Sequence, residues 1–227
     1  MQSVLITGAN RGLGLCLVQK FSAEGWQVFA AERSRAVAPP ALPNVTWVSL
    51  DVRDVDSIAR AALSVAKRSS GLDVLINNAA VNPRPDCDAP LGELDFAAMQ
   101  LAYDVNALGP LRVIQGLLPL LERGQRKLII NVSSEAGSLQ HSWRERTYGY
   151  CMSKAALNMQ TTILDRALKT RGFDVLALHP GWMRTDMGGP RAHLDPLESA
   201  AGMYEVVQQA SATTPRFLQH DGKEFPW

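Results

Sequence analysis

The stretch Thr7-Gly8-Ala9-Asn10-Arg11-Gly12-Leu13-Gly14 constrains the fold of this chain more than any other. An apolar run, Ser3-Val4-Leu5-Ile6, leads into it, and an amphipathic stretch leaves it. A strand should therefore end, and a helix begin, within a few residues. Glycines allow so tight a turn and let the backbone approach a pyrophosphate, which then meets the free N–H groups of the helix start. The spacing G-x-x-x-G-x-G departs from the commoner G-x-G-x-x-G. A glycine-rich turn with no ligand is the alternative reading.

The rest of the chain repeats this strand-to-helix pattern. Apolar, β-branched runs at 3–7, 27–31, 45–50, 73–76, 127–132, 173–178 and 216–219 read as strands buried on both faces. Helical patterns fall at 12–24, 54–68, 93–122, 148–171 and 196–210, with Asp54 and Asp95 as N-caps and Gly25 and Gly172 as stops. Such alternation predicts one doubly wound α/β domain, with about seven parallel strands and helices on both faces. Its ligand should lie beyond the carboxyl ends of the strands. Segments 33–44 and 80–92, rich in proline, read as loops.

Composition narrows the function. A formal net charge of +1 without a basic stripe argues against a nucleic-acid partner. Cys16, Cys87 and Cys151 show no C-x-x-C spacing, and the four histidines no H-x-x-x-H, so neither disulfides nor a metal is expected. No apolar run approaches a membrane span, and the first strand starts too early for a signal peptide. A cytoplasmic location with no membrane partner is the expectation.

The second strand ends Ala31-Glu32-Arg33. Glu32 can accept hydrogen bonds from the ribose hydroxyls of NAD, whereas Arg33 together with Arg11 can clasp the 2′-phosphate of NADP. The charges favour NADP(H) over NAD(H), although Glu32 can also simply pair with one of the arginines.

Tyr150 and Lys154 are four residues apart, on one helix face. Hydride transfer to a carbonyl needs a proton for the forming alkoxide, and the reverse reaction needs that proton removed. A tyrosine titrates near 10, about three units too high for a base at neutral pH, which corresponds to roughly 4 kcal/mol. A lysine ammonium one turn away, with a positive nicotinamide ring, is expected to lower it. Tyr148 has the uncharged Met152 in the corresponding position and is the weaker candidate. Ser133 or Ser134, at the end of the fifth strand, can hold the substrate oxygen.

Together these features resemble the short-chain dehydrogenase/reductase family over essentially the whole chain. Thr7, Gly8, Gly12 and Gly14 match its glycine motif, Asp51 its acidic residue after the third strand, and Asn77-Asn78-Ala79-Ala80 its Asn-Asn-Ala-Gly, with alanine in last place. Asn106 matches its mid-helix asparagine, which supports a water relay to the lysine. The serine spacing selects Ser134. Pro180-Gly181-Trp182-Met183-Arg184-Thr185 resembles its Pro-Gly-x-x-x-Thr segment.

The resemblance implies a Ser134, Tyr150, Lys154 and Asn106 catalytic set. It implies cofactor contacts from Gly8, Asn10, Arg11, Gly12, Leu13, Gly14, Glu32, Arg33, Asp51, Val52, Asn78, Ala79, Ala80, Tyr150, Lys154, Pro180, Gly181, Trp182, Met183 and Thr185. The short length, 180–190 and the terminal Asp-Gly-Lys-Glu-Phe-Pro-Trp resemble the C-factor and sniffer-type carbonyl reductases. A small carbonyl or alcohol substrate is then implied, and a homodimer or homotetramer through the helices at 93–122 and 148–171.

The rival reading is a nucleotide-binding signalling protein with little turnover. A sugar-nucleotide epimerase fits poorly, because too few residues follow Pro180 for its substrate domain. Residues 184–198, with Gly188-Gly189-Pro190, are expected to form a substrate lid or a simple surface loop. Trp143, Trp182, Met183 and Met187 belong either to a substrate pocket or to the core.

Overall fold

A computed structural model describes residues 1–33, 41–83, 91–212, 214 and 216–227. Cys87 and most of both proline-rich loops lie outside the described residues. Seven strands form one parallel sheet in the order β3-β2-β1-β4-β5-β6-β7: β1 Ser3–Thr7, β2 Gln27–Glu32, β3 Val45–Ser49, β4 Val74–Asn77, β5 Leu128–Val132, β6 Asp174–His179 and β7 Phe217–Gln219. The direction of winding reverses between β1 and β4, which are paired from Val4–Val74 to Ile6–Ile76. A crevice opens at such a switch point beyond the strand ends.

Alternation along each strand divides the core in two. Val4, Ile6, Val28, Ala30 and Ile76 face one way and pack with α1 (Gly12–Ala23) and α6 (Pro196–Gln209). Leu5, Phe29, Ala31 and Leu75 face the other way, towards α2 (Val55–Ala66), α4 (Gly109–Leu121) and the end of α5 (Tyr148–Leu168). The central strands are wholly buried, which explains their unalternated apolar sequences. Both expected caps form: Asp54 accepts from the Asp56 N–H, and Asp95 from the Ala98 N–H.

The helix expected over 93–122 is two helices, α3 (Phe96–Tyr103) and α4, joined by a π turn at Asp104–Leu108. Pro110 has no N–H to close an α-helical turn on the Asn106 carbonyl. Gly109 meanwhile passes so close to Val52 that a Cβ would lie 2.9 Å from a valine methyl. The chain therefore widens where Asn106 turns inward.

The apolar runs of α4 and α5 divide between core and surface. Gly109, Pro110 and Leu157 are buried, and the exposed large apolar side chains of α4 and α5 are Leu111, Met152, Met159 and Ile163. Helical periodicity carries every third or fourth residue inward, whatever its run. No described helix is long and apolar enough to cross a membrane.

Candidate active site

The glycine turn is held mainly by backbone geometry and two neighbouring side chains. The Thr7 hydroxyl accepts from the backbone N–H groups of Asn78 and Ala79, both at 3.0 Å. Asn78 Nδ2 donates in return to the Thr7 and Gly8 carbonyls at 2.9 and 3.2 Å. Gly8 has φ +64°, and a Cβ there would lie 2.8 Å from Ala79 Cα. A Cβ on Gly14 would fall 2.1 Å from the Gly8 oxygen, so no side chain fits. Arg11, at the N-cap of α1, makes no side-chain cap, and no acidic residue occupies the first turn. The helix start therefore keeps unneutralised N–H groups at the mouth of the crevice, which suits a dinucleotide phosphate.

Glu32 is buried at the end of β2 and Arg33 is exposed beside it. Arg11 forms a 2.7 Å ion pair with Asp186, with both side chains largely exposed. Asp51 accepts from the Arg53 N–H at 2.9 Å, and the buried Val52 lies against Gly109.

The second group of expected residues gathers at the ends of β5 and β6. Ser134 caps the short turn Glu135–Gly137, accepting from the Ala136 N–H at 3.1 Å. The same hydroxyl makes a hydrogen bond with Tyr150. Lys154, one helical turn on, is buried, donates to the Val132 carbonyl at 2.7 Å, and sits 5.7 Å over the Tyr150 ring. Asn106 reaches α5 through Ser153: Nδ2 donates to Ser153 Oγ at 3.0 Å, and Ser153 donates to the Tyr150 carbonyl at 2.7 Å. Asn106 also clamps both backbone groups of Val81 at 2.8 Å. Both amide protons and one lone pair of Oδ1 are used as a brace.

The expected lowering of Tyr150 includes the positive nicotinamide ring; the chain's own groups act the other way. Tyr150 is half-buried as a residue, yet desolvation of its hydroxyl, aided by the Glu135 charge, pushes its pKa up to about 12. Burial pushes Lys154 down to about 7. A lysine partly neutralised by its surroundings and placed over the ring cannot offset the desolvation of the phenol. Within the chain itself, the Tyr150 phenol is neutral at pH 7.

Sequence reasoning missed the network behind Ser134. Glu135 pairs with Arg144, and its N–H donates to His179 Nδ1 at 3.3 Å. Burial pushes His179 down to about 4, so it is neutral at pH 7. Phe225 packs against His179 and Phe217, with ring centres 5.3 and 5.1 Å apart. The only local signal was an acidic residue directly after the serine.

After β6, Gly181 has φ +84°, and a Cβ there would strike Leu194 at 2.5 Å. The following segment is cross-braced. Arg184 N–H donates to the Leu194 carbonyl, Leu194 N–H to the Trp182 carbonyl, and Trp182 Nε1 to the Gly188 carbonyl at 2.9 Å. Thr185 lies against Gly12, with its methyl 3.5 Å from where a Cβ would stand. Trp143, Trp182 and Met187 are exposed, and Met183 only partly packs on the core. Of these, none is a core residue. Among the described residues, no cluster has the makings of a metal site.

The profile of the short chain dehydrogenase family matches residues 2–195. C-signal of Myxococcus xanthus is 42% identical over 157 residues, covering 69% of this chain and 93% of that protein. The NADPH-bound carbonyl reductase from chicken fatty liver superposes with a TM-score of 0.90 at 35% identity, covering 100% of this chain and 99% of that one. The Drosophila melanogaster carbonyl reductase Sniffer superposes at 0.88 with 28% identity, covering both chains completely. This chain belongs to the short chain dehydrogenase family. It is an NAD(P)-dependent oxidoreductase.

Proposed function

We propose that this chain transfers a hydride between NADP(H) and a small carbonyl compound or secondary alcohol, with Tyr150 as the proton donor and acceptor. The observation that carries this reading is the Tyr150 hydroxyl in contact with Ser134, with Lys154 buried one turn away. When bound, the nicotinamide cofactor supplies or accepts the hydride.

Tyr150 delivers its phenolic proton to the oxygen of a bound carbonyl, and Ser134 steadies that oxygen. Lys154 would hold the nicotinamide ribose hydroxyls, and Asn106 fixes α5 through Ser153. Gly8, Asn10, Gly12, Leu13 and Gly14 would hold the phosphates of a bound dinucleotide, Arg11 and Arg33 would hold a 2′-phosphate, and Glu32 the ribose. Asp51 and Val52 would flank the adenine, and Asn78, Ala79 and Ala80 would line its crevice. Pro180, Gly181, Trp182, Met183 and Thr185 would hold the carboxamide. The bound NADPH of the chicken carbonyl reductase supports NADP(H) over NAD(H). Residues 184–198 act as the lid, and pairing of α4 and α5 faces makes a dimer or tetramer.

Tyr150→Phe tests the reading. Turnover of a carbonyl panel should fall by about 10³-fold, while NADPH binding, followed by fluorescence, stays within about twofold. Retained turnover would overturn it. Similarity to C-signal favours a second reading, a signalling protein that binds nucleotide. Under that reading, Tyr150→Phe would leave the cellular role intact.

A further inference from the structure

One side chain of α5 holds both ends of the turn that carries Ser134. Ser133, just before it, donates from its hydroxyl to Asn158 Oδ1 at 2.6 Å. Gly137, at the close of the turn, accepts at its carbonyl from Asn158 Nδ2 at 3.1 Å. Ser133 and Asn158 are both buried, with 2% and 5% of their surfaces exposed.

Chemistry fixes the direction of these two bonds. A carbonyl oxygen can only accept, so the Gly137 oxygen must face the amide nitrogen. Oδ1 then faces Ser133, whose hydroxyl has to donate. A carboxylate at position 158 could serve Ser133 but would set an anion against the Gly137 oxygen. The Ser133 N–H is committed to the Leu178 carbonyl at 2.8 Å, so this residue is anchored to the sheet by its backbone and to α5 by its side chain.

Asn158 follows Tyr150 and Lys154 at helical spacing, one turn beyond the lysine. The turn packs against that same side of α5 without slack, since a Cβ on Gly137 would lie 2.7 Å from the Lys154 carbonyl carbon. Lys154 Nζ grips the Val132 carbonyl, upstream of Ser134. Three hydrogen bonds thus set β5 and its turn in register with α5, and Asn158 makes the two that bracket Ser134.

We propose that Asn158 is a positioning residue that sets where the Ser134 hydroxyl stands relative to Tyr150. It acts through the backbone on either side of Ser134, and a misplacement of about 1 Å at a reacting group costs roughly 100-fold in rate. The assignment rests on the proposed role of Ser134 in steadying the substrate oxygen. A purely structural asparagine would support stability whatever stands at position 134. A positioning one loses its effect on turnover once Ser134 has no hydroxyl to place.

The experiment is a double-mutant cycle of Asn158→Ala and Ser134→Ala. It reads kcat for NADPH-dependent carbonyl reduction, NADPH affinity by fluorescence, and amide hydrogen exchange. Asn158→Ala should lower kcat about tenfold when Ser134 is present, and less than about twofold in the Ser134→Ala background. NADPH affinity should stay within about twofold. Exchange of the Ala136 and Gly137 amides should quicken, with Ile129 in β5 unchanged. Losses that multiply across the cycle would overturn the proposal, and so would a parallel loss of NADPH affinity, which would point to Lys154. Should Asn158→Ala melt below the assay temperature, Ser133→Ala, which cuts only the 2.6 Å bond, goes through the same cycle. Full turnover in Tyr150→Phe would overturn the proposed function and leave the cycle readable. With a parent that turns over no carbonyl the proposed function also fails, and unchanged exchange at Ala136 and Gly137 would by itself sink the role of Asn158.

Discussion

The two halves of the crevice are built by opposite means. Around β1 and β4 the walls are glycine, alanine and backbone N–H, fixed by Thr7 and Asn78, and every close contact is a matter of volume. Around β5 and β6 the walls are Ser134, Glu135, Arg144, Tyr150, Lys154 and His179, partly or wholly buried, and most have displaced protonation equilibria. A surface that only has to bind a large polyanion needs space and aligned dipoles. A surface that has to move a proton needs charges drawn out of water, and these are costly enough to require one another.

Substitutions should therefore separate binding from chemistry. Gly14→Ala sets a methyl 2.1 Å from the Gly8 oxygen, so the turn must open. NADPH binding, measured by calorimetry, should weaken about 100-fold, while a ¹³Cζ titration of Tyr150 stays put. A moved titration would mean that the halves are mechanically one.

Asn106→Ala sits between the halves and strips three hydrogen bonds from Val81 and Ser153. The melting temperature should drop by about 5–10 °C, and turnover by roughly tenfold, with NADPH affinity little changed. Arg33→Ala sharpens the binding half. Affinity for NADPH should fall about tenfold and that for NADH not at all. Equal loss for both would remove the NADP(H) preference.

The smallest effect concerns the buried lysine. Lys154 has a folded-state pKa of about 7 against an ordinary 10.5. Between those values the unfolded chain holds a proton that the folded chain lacks, so stability rises with pH across that window. Below about pH 7 both states are protonated, and the full cost of burying the ammonium is felt. Lys154→Met should raise the melting temperature by a few degrees near pH 6, and by less near pH 10. Lost stability at both pH values would show that the Val132 hydrogen bond outweighs the buried charge.

How far the sequence can be read follows the same division. The glycine turn, the seven strands, the Asp54 and Asp95 caps and the Tyr150–Lys154 spacing are local, set by residues within one turn or one strand of each other. The break at 104–108 was harder to see, because its cause is split between Pro110 and a Val52 contact 57 residues away in the chain. The Glu135–Arg144–His179 cluster was invisible, since its members come from a turn, a loop and a strand. The upward shift that burial gives Tyr150 in the chain by itself was also not legible, because spacing shows that a lysine is near but not that both groups are dry.

By itself, then, the sequence determined the parallel sheet, the glycine turn and which tyrosine faces which lysine. These follow from glycine's freedom, from the burial of β-branched runs and from helical period. The tertiary structure decided which way each proton points. Hydrogen-bond direction and desolvation depend on every neighbour at once, and the Gly137 carbonyl can only accept.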